Sequence, residues 1–321
     1  MKIKSYIWPA IGLTAVGFCG WLLYRDLRGL SLSDVTNNLQ AIPGHRWALA
    51  AGGAVMAYAA LAGYDRIALR HLHKRLPWMF IAVASFTAYA LAHNIGASVL
   101  SGAVVRFRAY TSQGLNAAEV GVLVALCSFT FMLGTVLLGG AVLLIEPEVS
   151  ERFLTHLPLS LPSLAGVIML GFVASYVLGG WLRFPPLRIG GFSVQYPALP
   201  IIAKQLVVGP VELIGAASII YFALPEAGNP GFLVVLGIFL ASFSVALLSH
   251  APGGVGVLEV MFLTGMPEID PAVVLSALIV FRLFYLLIPL ALSLIAILFF
   301  ERSQLVRTAR AKPALRDPQG S

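Results

Sequence analysis

The sequence predicts an all-α polytopic membrane protein with about eight transmembrane helices plus two re-entrant segments, arranged as two related halves. Three observations carry that expectation. The 321 residues are 59% hydrophobic and only 11% charged, with mean hydropathy +0.90, whereas soluble domains carry roughly 25% charged residues. Apolar runs recur at about 3–24, 47–69, 78–92, 117–145, 161–182, 199–224, 231–248 and 271–300, most of them near the ~20 residues that a crossing requires. Two runs end in backbone that cannot stay helical. Ala92-His93-Asn94-Ile95-Gly96 leads into Ser101-Gly102, and Ser249-His250-Ala251-Pro252-Gly253-Gly254-Val255-Gly256 leads into Glu259. Lipid cannot satisfy the free N–H and C=O groups of such backbone, so it must be buried in protein or line a cavity.

In chain order, the first run follows Met1-Lys2-Ile3-Lys4 and reads as a retained helix. Phe18 occupies the place before Cys19 where lipid attachment wants a small residue, and the run exceeds the roughly 7 to 15 residues of a signal h-region. The polar stretch from Asp26 to Arg46 reads as an interfacial helix capped near Ser33. The third run is short, which fits a helix whose chain turns back as a re-entrant segment. Between Arg183 and Pro197, Gly190-Gly191 separates alternating apolar and polar residues, a short hairpin signal that we place on the outer face. The membrane domain is expected over 1–300, with halves of about 1–157 and 158–300, and 301–321 as a basic cytoplasmic tail. Gly/Pro-interrupted segments at matching places in two halves point to a transporter's binding site. Eight crossings would put both breaks on one face, whereas an inverted repeat needs opposite faces; the sequence leaves that choice open.

The formal charge is +7. Its clusters, Arg66, Arg70, Lys74 and Arg75 after the second run and Arg302, Arg307, Arg310, Lys312 and Arg316 after the last, belong in the cytoplasm by the positive-inside rule. This predicts a multi-pass membrane protein, N-in and C-in. Glu146, Glu148 and Glu151 would then also lie inside, although acidic residues contribute little to orientation. No soluble domain carries the charge, which argues against nucleic-acid binding. Cys19 and Cys127 read as small hydrophobes in packed helices. No His-Glu-x-x-His helix, cysteine pair or Walker-type loop is present, so no metal, cofactor or catalytic set is expected, and the chain is not read as an enzyme.

Charges near the bilayer centre cost ~2.5 to 3.5 kcal/mol on insertion scales and face the bundle interior or a wet cavity. Lys204, Glu212, Glu259 and Arg282 are such residues, and His93 and His250 precede the two breaks. Glu259 and Arg282 are expected to pair, bracing the second break against the last helix. The histidines suit either proton transfer or packing. Arg106, Arg108 and Tyr110 follow the first break, and two guanidinium forks beside a phenol suit a phosphate-bearing headgroup or an interfacial anchor. Glu119 reads as a helix N-terminal charge. Half-helix N-termini after Gly96 and Gly256 would offer N–H donors to phosphate. Gly134, Gly139 and Gly140 suggest close helix packing.

The runs His93-Asn94-Ile95-Gly96 with Ser101-Gly102-Ala103-Val104-Val105-Arg106-Phe107-Arg108-Ala109-Tyr110, then Pro252-Gly253-Gly254-Val255-Gly256-Val257-Leu258-Glu259 and Phe281-Arg282-Leu283-Phe284-Tyr285, resemble the flippase-like family. Its best-known member is the transmembrane part of bacterial lysylphosphatidylglycerol synthase, the multiple peptide resistance factor. The resemblance covers nearly the whole chain, and the Pro-Gly-Gly-x-Gly-x-x-Glu run with the later Arg-x-x-Tyr is its specific part. It implies a lipid translocase moving a phospholipid or glycolipid-type amphiphile between leaflets of the bacterial cytoplasmic (inner) membrane. The substrate-binding set would be Asn94, Gly96, Ser101, Arg106, Arg108, Tyr110, Pro252, Gly253, Gly254, Gly256, Glu259, Arg282 and Tyr285, with Lys204 and Glu212 lining or bracing the path. The family's fused aminoacyl-transferase has no counterpart after the last apolar run, so aminoacyl transfer is not expected of this chain. The alternative is a non-transporting membrane partner that scaffolds or presents lipid to a separate synthase or glycosyltransferase. Expected partners are a lipid headgroup and, left open, a lipid-modifying enzyme or a second copy of the chain.

Overall fold

The computed structural model describes residues 32–95, 98–153, 160–189, 192–249 and 252–298. The expected first helix with Lys2, Lys4 and Cys19, the tail 301–321, the expected junction at 157/158, Gly96, Gly190, Gly191 and His250 lie outside them. Ten helices are described: α1 Leu32–Ala41, α2 Gly44–His71, α3 Trp78–Ile95, α4 Ser98–Thr111, α5 Ala117–Ile145, α6 Ser160–Trp181, α7 Leu199–Ala223, α8 Phe232–Ser249, α9 Val257–Gly265 and α10 Pro271–Leu298. Two three-residue strands, β1 Leu187–Ile189 and β2 Phe192–Val194, pair antiparallel at the place of the hairpin signal. Six helices, α2, α5, α6, α7, α8 and α10, are long and apolar enough to cross a membrane. The apolar run at 78–92 is α3, one arm of a helical hairpin, and the first of the eight expected crossings lies outside the described residues, so six of the other seven are matched by length and composition.

Local chemistry sets the boundaries. Asn116 caps α5: its Oδ1 accepts from Glu119 N at 2.9 Å while the Glu119 carboxylate accepts from Asn116 N at 2.9 Å, satisfying two orphan donors reciprocally. Lys74 Nζ lies 2.8 Å from the same carboxylate, joining the loop after α2 to the start of α5. Asp270 accepts from Ala272 N at 2.7 Å with Pro271 in the first turn of α10, the residue types that open a helix.

The two broken runs fold as antiparallel hairpins. In the first, the Phe80 and Tyr110 rings lie 5.9 Å apart and a Cβ on Gly102 would meet that of Ala92 at 3.4 Å, so α4 retraces α3. In the second, a Cβ on Gly254 would meet that of Ala246 at 3.2 Å and one on Gly265 would meet Ile238 at 3.1 Å, so α9 retraces α8. Between them run α2 and α7, antiparallel: Arg46 at the start of α2 donates to Phe222 O and Tyr221 O at the end of α7, at 2.8 and 3.1 Å. Helix α5 lies parallel to α7, with Gly134 against Gly209 and Gln205 donating to Thr130 at 2.9 Å. Helix α6 runs back along α5, with Gly166 against Gly140.

These contacts fix the direction of each hairpin. The α3/α4 hairpin opens at the end of the bundle that carries Arg66, Arg70, Lys74 and Arg75. The α8/α9 hairpin opens at the other end, where Arg152 pairs with Glu268 and Gly237 rests on Val142 and Val149. The tips meet in the middle, where Asn94 Nδ2 donates to Leu286 O at 3.1 Å and Arg282 Nη1 to Gly253 O at 3.3 Å. The two breaks therefore point in opposite directions, not to one face. The reason is α6, a single extra pass that reverses the sense of the helices after it, so that long helix, hairpin, long helix occurs over α2 to α5 and again over α7 to α10. Two expectations change with it. Glu146, Glu148 and Glu151 stand at the end opposite the basic cluster, and the β-hairpin, which joins α6 to α7, stands at the basic end.

Small residues let the backbones close. A Cβ on Gly209 would lie 2.8 Å from Thr130 O and 3.1 Å from Gly134 Cα, inside any normal contact, and such small-residue crossings are how helices approach closely in lipid. Gly209→Val is expected to lower the thermal unfolding midpoint of the detergent-purified chain, at an overpacking cost of about 1–3 kcal/mol. Gly52→Ala meets nothing within 4 Å and should leave the midpoint unchanged or raise it.

Candidate functional site

Three carboxylates stand in the middle of the bundle, each held differently. Asp65 of α2 is fully buried, and an ionised carboxylate there must collect donors from other helices. Arg106 of α4 supplies a fork: Nε lies 3.2 Å from both oxygens and Nη2 2.9 Å from Oδ1. Tyr110, one turn on, donates its hydroxyl to Oδ2 at 2.7 Å, and Cys127 Sγ of α5 lies 3.3 Å from Oδ1. The guanidinium carbon sits 4.3 Å over the Tyr89 ring, a cation–π contact that also excludes water.

Glu212 of α7, 1% exposed, has no cation against it among the described residues. Two phenols serve it instead: Tyr285 donates to Oε1 at 2.5 Å and Tyr64 lies 3.5 Å from Oε2. Tyr285 is placed by its backbone. Pro289 has no N–H for the Tyr285 carbonyl four residues back, the helix widens into a π turn over Arg282–Leu287, and Tyr58 donates its hydroxyl to that carbonyl at 3.0 Å.

Glu259 and Arg282 form the expected pair, through Arg282 Nε at 3.0 Å and Nη2. The other Glu259 oxygen accepts from Gly256 N at 2.8 Å. The chain reaches this geometry through Gly253, Gly254 and Gly256, at φ +59, +63 and +82°, a region costly for any residue with a Cβ.

Between Arg106 and Glu212 lies a cavity of about 120 Å³, lined also by His93, Cys127, Ser128 and Phe243. His93 stacks on Tyr285 at 5.0 Å, and its Nδ1 is buried without a hydrogen-bond partner. No group of three or more potential metal ligands occurs among the described residues.

The structure thus gathers Asn94, Arg106, Tyr110, Glu212, Gly253, Gly254, Gly256, Glu259, Arg282 and Tyr285 around the meeting hairpins. Arg106 is 4% exposed and engaged by Asp65, so it is not the interfacial anchor that the sequence left open. Arg108 is exposed on the other side of α4. Lys204 is half-buried, two turns before Glu212 on α7. Ser101 lies in the first turn of α4, and Pro252 opens the turn before α9. At the start of α9, Glu259 accepts from Gly256 N at 2.8 Å. Sequence reasoning missed Asp65, Tyr58, Tyr64, Tyr89 and the role of Cys127. Asp65 carried a signal, as an acid inside the run 47–69, obscured by the adjacent Arg66 of the basic cluster.

Removing one partner of a buried pair strands the other charge, at about 3–5 kcal/mol. Asp65→Asn and Arg106→Gln should each lower the unfolding midpoint, and the double variant should lose clearly less than the sum. Strict additivity in that double-mutant cycle would show that the pair carries no coupling.

No family model matches the chain. "Uncharacterized protein slr0712" of Synechocystis sp. is 30% identical over 311 residues, which cover 94% of this chain and 95% of that protein. "Inner membrane protein YbhN" of Escherichia coli is 26% identical over 257 residues, 78% of this chain and 79% of that one. "Phosphatidylglycerol lysyltransferase" of Staphylococcus aureus is 24% identical over 301 residues, 92% of this chain. The match occupies 34% of that longer protein.

Proposed function

The chain belongs to the membrane-protein family of the Synechocystis protein and YbhN, with the phosphatidylglycerol lysyltransferases as more distant relatives, and on that premise we propose that it is a lipid translocase. It is an integral inner-membrane protein. In this reading the α3/α4 and α8/α9 hairpins enter the membrane from opposite faces, and α2, α5, α6, α7 and α10 cross it. The basic end lies in the cytoplasm by the positive-inside rule.

The observation that carries the proposal is the meeting of two oppositely directed hairpins around paired charges, beside a small cavity that Arg106, His93 and Glu212 reach. A headgroup crossing apolar lipid loses its hydrogen bonds with water, at several kcal/mol for each unpaired polar group. Here Arg106 and Arg282 present planar forks that fit phosphate as well as carboxylate. Each can pass from its carboxylate to a headgroup oxygen without standing unpaired. Asn94 and the glycine turn supply further polar backbone at mid-depth, the arrangement expected of discontinuous helices at a transport site. The acyl chains stay in lipid throughout.

Reconstitution into liposomes with a leaflet-resolved lipid assay tests this. The purified chain should transfer headgroups without a partner enzyme. Tyr285→Phe, which removes the short bond to Glu212, and Glu259→Gln should each slow transfer on the order of tenfold, as expected for loss of a bond to a charged group worth about 1.5–3 kcal/mol. Absence of transfer, together with tight binding to a lipid-modifying enzyme, would favour the presenting role instead. A change in lipid mass would indicate an enzyme.

A further inference from the structure

Two cavities outside the central cluster adjoin at the basic end. One, of about 610 Å³, is lined by Arg66, Arg70, His73, Lys74 and Arg75. The other, of about 650 Å³, is an apolar groove between α2, α3 and α10, with Ala51, Ala62, Trp78, Val83, Phe284 and Leu292 among its walls. They meet at one contact: the Arg66 guanidinium, which lines the first, lies 5.1 Å over the Trp78 ring, which lines the second. Ala62 stands one turn before Arg66 on the same helix.

Charge and length identify what fits. Lys74 is paired with Glu119 at 2.8 Å, while Arg66, Arg70 and Arg75 have no carboxylate within ion-pair distance among the described residues. A cationic headgroup would meet like charge here, and an anionic one its complement. The groove from Ala51 to Ala62 spans eleven helical rises, about 16 Å, which is close to half of a hydrocarbon core ~30 Å thick. The pair of cavities is therefore polar at the basic end and apolar along a groove long enough for one acyl chain. The groove passes the centre of the bundle, where Tyr58 lines it and donates to the Tyr285 carbonyl.

We propose that this is the loading site for a lipid with an anionic headgroup, its phosphate among Arg66, Arg70 and Arg75 and one acyl chain in the groove. The inference rests on the translocase reading and adds the charge class of the substrate and the place where it waits. The site is built on the wall of the central path, so a lipid held there needs only to swing its headgroup inward between α2 and α3.

Native mass spectrometry of the full chain, titrated with phosphatidylglycerol and phosphatidylcholine of identical acyl chains and with glycerol 3-phosphate, tests it. Phosphatidylglycerol should bind about tenfold tighter than phosphatidylcholine, and glycerol 3-phosphate far more weakly than either, since it lacks the chain that the groove holds. Arg70→Gln with Arg75→Gln, both exposed side chains, should cut the headgroup preference to about threefold or less without moving the unfolding midpoint. Ala59→Trp, which fills the groove, should weaken both lipids alike. Equal binding of the two lipids, a preference that survives the double substitution, or tight binding of glycerol 3-phosphate would overturn the site. A normal lipid preference without leaflet transfer in liposomes would instead overturn the translocase reading and leave this site standing.

Discussion

A carboxylate held in the middle of an apolar bundle must be surrounded by donors from other helices, and the way Asp65, Glu212 and Glu259 meet that requirement orders everything around them. Asp65 draws α4 and α5 onto α2 through Arg106, Tyr110 and Cys127. Its neighbour Tyr64 reaches Glu212 on α7, Glu212 accepts from Tyr285 on α10, and Arg282 on α10 binds Glu259 on α9. These links form a single polar seam from the first hairpin to the second. Each is costly to leave half-made, so the seam specifies which faces of the helices turn inward where apolar packing alone would tolerate many rotations.

The seam is possible because the backbones approach closely. Gly53 against Gly215, Gly134 against Gly209 and Gly140 against Gly166 leave no room for a side chain at the crossings. That closeness brings a phenol on α2 within reach of a carboxylate on α7. Helix α6 adds the reversal: with one pass between the two sets of helices, the second hairpin opens toward the opposite end from the first, and both tips end at the seam.

Both central arginines are engaged by carboxylates, and the cavity that Arg106 lines is small. Two larger cavities, of about 610 and 650 Å³, adjoin at the basic end against the same helices. A lipid handled by this architecture would meet cations first, then a seam in which every fork has a partner to leave and return to. An arginine that turns to a headgroup oxygen leaves its carboxylate with the neutral donors that remain, Tyr110 and Cys127 at Asp65 and Gly256 N at Glu259.

Much of the architecture was legible in the residues. Composition and the spacing of apolar runs identified a polytopic membrane protein, because the bilayer fixes the length of a crossing. The glycine and proline breaks at 94–102 and 252–256 marked the hairpin tips, since such backbone needs protein around it, and Glu259 with Arg282 could be matched as two charges too costly to stand alone. What the tertiary structure decided is partnership over distance. Arg106 and Asp65 are 41 positions apart, and Tyr285 and Glu212 are 73 apart. Periodicity says which residues share a face, not which face meets which. The burial of Arg106 and the recruitment of five tyrosines come from that pairing, which no local pattern encodes, whereas the opposite sense of the two hairpins comes from the single pass of α6.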